Sequence, residues 1–84
     1  SNKNPRKLNV ILLLLEGKQK QFEISRLADC HKSYVTKVKN SKDYKRMCNE
    51  DGMPNSEGKR FLEKHEDDLQ MIYEYDSCRR SGDF

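Results

Sequence analysis

The chain has little from which to build a large core, and few of the groups that catalysis or metal binding require. Only 33% of its 84 residues are hydrophobic, against 37% charged, a balance near the point where disorder competes with folding. The run from Val10 to Leu15 is its most apolar stretch and is far too short to span a bilayer. Histidine occurs twice and cysteine three times, with no Cys-x-x-Cys pair. Cys30, His31, Cys48, His65 and Cys78 are all possible metal ligands, but their separations match no short-spaced zinc pattern, so no metal is expected. There is no glycine-rich phosphate loop and no paired-acid motif, and Glu66-Asp67-Asp68 sit on consecutive helical positions that face different ways. Neither an enzyme nor a bound cofactor is expected from such a set. An odd number of thiols and no recognisable leader lead to the expectation of a soluble protein in the reducing cytoplasm.

The charges are unevenly distributed. Residues 1–48 carry twelve Lys and Arg against four Asp and Glu, whereas residues 49–84 carry five against ten. A basic half suits a polyanion such as DNA, and an acidic half is repelled by phosphate. The length fits a single domain, expected over residues 4–80.

The spacing of apolar residues is helical. Asn4-Pro5 is a good helix opening and Gly17 a good stop, which predicts a first helix over Pro5–Glu16. Its run of aliphatic residues covers more than one face, so part of it is expected to be covered by the C-terminal helix or a second subunit. A second helix is predicted from Ile24 to about Cys30, and a third, capped by Ser33, to about Lys42. After it the helical period is lost over Tyr44 to Cys48. Glu50-Asp51-Gly52 then reads as a turn between two short extended segments, a small β-hairpin. Ser56 is placed to cap a last helix of about twenty-two residues, long enough at 1.5 Å per residue to outreach so small a domain. Its distal turns are therefore expected to pair with a second copy.

This order of elements resembles the winged helix-turn-helix DNA-binding domains of archaeal and bacterial regulators, and most nearly the archaeal group in which a wing leads into a long dimerising helix. The residues that carry the likeness are Ile24, Leu27, Ala28, Ser33, Val35 and Val38 in the helical pair, and Ser56, Glu57, Gly58, Phe61 and Leu62 at the last helix start. The fold class this implies is mainly α with a small β-hairpin: a three-helix core, a short wing over residues up to 55, and a long C-terminal helix over 56–80. Two positions depart from the pattern. Lys32 stands near the place where the corner usually has a glycine, and the wing tip carries Glu50 and Asp51 where a phosphate-contacting wing prefers Lys or Arg.

The function implied is binding of double-stranded DNA, with the helix over 33–42 in the major groove and a role in transcription regulation or nucleoid organisation. Candidate DNA contacts are Lys32, Ser33, Tyr34, Thr36, Lys37, Lys39 and Asn40, joined by Lys45 and Arg46 for the phosphate backbone. Lys suits guanine or phosphate, and Asn can pair with adenine through two hydrogen bonds. Leu69, Ile72 and Tyr73 are the candidate dimerisation residues on the C-terminal helix. The alternative is a winged-helix module that binds a protein partner and no DNA.

Overall fold

A computed structural model of the chain describes residues 5–81. Its first element, α1 (Pro5–Glu16), ends at Gly17, whose φ of 74° lies in the left-handed region open to glycine. Val10, Leu12 and Leu13 are wholly buried, with Ile11 and Leu15 nearly so. That burial is possible because α1 is surrounded: it packs against α2 (Gln21–Leu27), α3 (Lys32–Lys39), α5 (Ser56–Lys64) and α6 (Glu66–Ser81). The apolar excess of the first helix is thus covered within the chain. The Asn4 cap lies outside the described residues.

Of the helical pair, α2 starts three residues earlier than its sequence suggests and α3 one residue earlier, and each ends about three residues earlier. Helix α2 begins at Gln21 and closes in a turn in which the amide of Cys30 bonds the Ser25 carbonyl and that of Asp29 the Arg26 carbonyl, the pairing of a Schellman cap. Asp29 takes the left-handed conformation there, at φ 56°, so the strained corner position is Asp29 and not Lys32. The cap of α3 is His31, whose Nδ1 accepts from the Ser33 amide at 3.1 Å. Ile24, Ala28, Val35 and Val38 enter the core from the facing sides of the pair.

The expected wing is absent: among the described residues there is no strand, and the fold class is corrected to all-helical. Residues 42–46 coil into a short helix, α4 (Lys42–Arg46), because Ser41 Oγ caps the Tyr44 amide and Tyr44 and Met47 anchor its inner side. The second arm fails for a different reason. Pro54 has no amide to extend a ladder, and all that forms is one antiparallel bridge between Cys48 and Pro54 around the Asn49–Gly52 turn.

Asn55 joins the two sides of that loop. Its amide bonds the Met47 carbonyl at 2.9 Å, its side-chain NH2 donates to the Arg46 carbonyl at 2.9 Å, and its Oδ1 caps the Gly58 amide at 3.0 Å. The last helix is therefore capped by Asn55, one residue before Ser56. It is also divided, with α5 ending and α6 starting on either side of His65. The His65 ring lies 4.5 Å from that of Phe61 and its Nδ1 is 2.8 Å from an Asp68 oxygen.

Among the described residues, ion pairs tie the helices together. Arg26 on α2 reaches Asp76 on α6 at 2.5 Å, Lys7 on α1 reaches Asp43 on α4 at 2.8 Å, and Arg46 on α4 reaches Glu57 on α5 at 3.0 Å. At the end of α1, the Tyr73 hydroxyl donates to Glu16 at 2.6 Å and accepts from Gln19 at 3.1 Å. No helix among the described residues is long and apolar enough to cross a membrane.

Candidate nucleic-acid interface

Helix α3 is anchored by Val35 and Val38, and its other sides follow from that. At about 100° per residue, Ser33, Thr36, Lys37 and Asn40 fall opposite the two valines, and all four are exposed. Lys32 and Lys39 flank them, also exposed. Tyr34 differs from expectation: it is half-buried against the core and not part of the outer face.

Next to this face, α4 adds Lys42 and Lys45, both exposed. Among the described residues no carboxylate forms an ion pair with Lys32, Lys37, Lys39, Lys42 or Lys45, although all five fall within fourteen residues. The one acid between Cys30 and Asn49, Asp43, turns to Lys7, and that hydrogen bond holds its carboxyl below the usual carboxylate value. Arg46 is exposed too, but its guanidinium is engaged by Glu57 and stands 3.9 Å from Asp43. The structure thus brings Lys32, Ser33, Thr36, Lys37, Lys39, Asn40 and Lys45 onto neighbouring exposed surface, while Tyr34 and Arg46 have other engagements.

On one side this surface meets the Asn49–Gly52 turn. An open cleft between them is lined by Lys39, Asn40, Lys45 and Glu50. The acidic tip therefore borders the lysines, close to α3.

One contributor was not legible in the sequence. Gln21, the first residue of α2, donates through Nε2 to the Lys32 carbonyl at 3.1 Å and to Thr36 Oγ1 at 2.6 Å. It fixes the start of α2 against the outer part of α3. Lys20 precedes it without a side-chain cap bond, so no capping signal marks Gln21 as helical, and nothing local announces a bond across fifteen residues.

The candidate dimerisation residues face inward. Ile72 is buried in the core, and Leu69 and Tyr73 pack against it. Burial, then the bond to Glu16, pushes the Tyr73 hydroxyl up to about 12. The exposed apolar groups of α6 are instead Met71 and Tyr75, with Arg79 over the Tyr75 ring at 5.5 Å.

No group of three or more His, Cys, Asp or Glu among the described residues is placed to hold a metal ion. Cys30 and Cys48 are half-buried and Cys78 is exposed; burial raises the pKa of the Cys30 thiol. No protein-family model matches the chain, and neither a curated protein nor a solved structure matches it.

Proposed function

We propose that the chain binds double-stranded DNA through the outer face of α3, with the α4 lysines on the phosphate backbone, as a regulator of transcription or an organiser of the nucleoid. The observation that carries this reading is the set of five lysines on α3 and α4 without carboxylate partners, beside a row of hydrogen-bonding side chains at one-turn spacing. Lysines free of internal partners can release the counterions of phosphate, which is the main source of affinity for a duplex. Ser33, Thr36, Lys37 and Asn40 offer the donors and acceptors that base edges require.

The test is fluorescence anisotropy with a labelled duplex between 50 and 200 mM salt. Engagement of about five phosphates gives a slope near −4 to −5 in log K against log salt. The double change Lys37→Glu with Asn40→Ala is expected to lower affinity by at least tenfold. No binding at low salt, or binding indifferent to the double change, leaves the protein-interaction reading in its place.

Pairing of two copies belongs to the same reading, through the outward side of α6. Met71 and Tyr75 are 63% and 61% exposed there. The first turn of α6 is acidic (Glu66, Asp67, Asp68) and the last basic (Arg79, Arg80). Antiparallel packing of two such helices sets each acidic end against the partner's basic end, with the apolar pair between. Sedimentation velocity is expected to give a dimer at tens of micromolar that Tyr75→Glu dissociates; a native monomer at high micromolar concentration counts against it.

A further inference from the structure

We infer that Gln21 and Thr36 together form a base-reading pair specific for the adenine of an A·T pair. This rests on the DNA-binding reading and goes beyond it by naming the base. Both side chains are exposed. Gln21 Nε2 is the common donor to the Lys32 carbonyl and to Thr36 Oγ1. Its orientation is dictated by chemistry: with the amide turned over, Oε1 would meet the Lys32 carbonyl, an acceptor against an acceptor.

Two groups are left for a ligand. With both amide hydrogens engaged, Gln21 offers Oε1, an acceptor that no described residue engages, and the planar amide fixes its place relative to Thr36. Thr36 Oγ1 accepts from Gln21, so its own hydrogen points elsewhere. Among the described residues its acceptor is the Lys32 carbonyl at 3.4 Å, a long contact to an oxygen already bonded to Gln21. A donor on α3 and an acceptor at the start of α2 therefore come from two directly bonded, exposed side chains.

The major-groove edge of adenine presents the complementary pair, N7 as acceptor and the N6 amino group as donor. Thr36 donates to N7 while Gln21 Oε1 accepts from N6. Guanine offers N7 and O6, both acceptors, so Oε1 would face O6 with no hydrogen between them. The predicted preference is for A·T over G·C at one position of the site, roughly tenfold.

The experiment is selection from a random-sequence duplex pool with the native chain, Gln21→Ala, Thr36→Val and Thr36→Ser, followed by anisotropy on the recovered site. The native chain is expected to enrich A·T at one position. Gln21→Ala and Thr36→Val flatten that position to within about twofold and leave the others, while Thr36→Ser, which keeps the hydroxyl, retains the preference. Placing 7-deazaadenine there removes N7 and weakens the native chain about tenfold, with no further loss in Thr36→Val. A purely structural strut would move neither the single-position preference nor the deaza effect. Preference retained in Gln21→Ala, native binding indifferent to 7-deazaadenine, or duplex binding without base preference each overturns the inference while leaving DNA binding intact. Failure of the native chain to retain any duplex overturns both.

Discussion

At Gly58 the fold has no room for a side chain. A Cβ there would stand 2.4 Å from the Met47 carbonyl oxygen and 3.0 Å from Pro54 Cβ. The first of these is backbone, already bonded to the Asn55 amide, so it has little freedom to move. Gly58→Ala is expected to cost about 1–3 kcal/mol, the range of overpacked sites, read as a lower urea midpoint with an unchanged slope. Asp29 presents the opposite case. Held at φ 56°, it pays for a conformation that glycine adopts freely, and Asp29→Gly is expected to raise stability by about 0.5–1 kcal/mol. The sequence offered Lys32 for the special corner position because the turn was placed by analogy of spacing. The hydrogen bonds that close α2 select Asp29 instead.

Among the elements, the loop between α4 and α5 depends on Asn55. Asn55→Ala removes a helix cap together with the side-chain bonds to the Arg46 and Cys48 carbonyls, while the backbone bond to Met47 stays, and is expected to cost about 1–2 kcal/mol. Ser56→Ala, at the residue expected from sequence to be the cap, should cost less, and equal losses at both positions would contradict this assignment. The contact between α1 and α6 at Tyr73 gives a pH dependence of known sign. The Tyr73 hydroxyl is raised from 10 to about 12 in the folded chain, so the folded state holds its proton more tightly than the unfolded one. Its contribution is complete below pH 10 and is lost as pH rises towards 12. Stability measured by urea unfolding across that window should fall, and Tyr73→Phe should lessen the fall.

Legibility followed how local the cause was. The limits of α1 could be read because Pro5, an aliphatic run and Gly17 lie within one short stretch. Helix α4 was missed because five residues show little periodicity, although Ser41 three before Tyr44, and Tyr44 three before Met47, were available as signals. The Asp-Gly turn was correctly seen, but the hairpin around it was not formed, since one arm became α4 and Pro54 halted the other. The break at His65 carries neither proline nor glycine and was not visible. On the candidate interface, periodicity gave Tyr34, Thr36, Lys37 and Asn40 as the outward set, with Ser33 as the cap, and of that set Thr36, Lys37 and Asn40 are exposed. The engagements of Tyr34 and Arg46 were not legible because their neighbours, the core and Glu57, come from other parts of the chain.

For the whole molecule, we propose that the lysine-bearing surface of α3 and α4 faces a duplex and the acidic remainder faces solvent or a second copy. Glu50 and Asp51 sit at the edge between the two, in a turn that holds Met53 through Asp51. Removing their charge with Glu50→Gln and Asp51→Asn is expected to increase affinity for a duplex several-fold at 50 mM salt and less at 200 mM, since the repulsion is screened. The central claim is tested most directly by amide NMR during titration with a short duplex. Shifts concentrated in residues 32–40 and 42–46, with Gln21 among the strongest, are the predicted result. Shifts confined to α5 and α6, or none at saturating duplex, would contradict it.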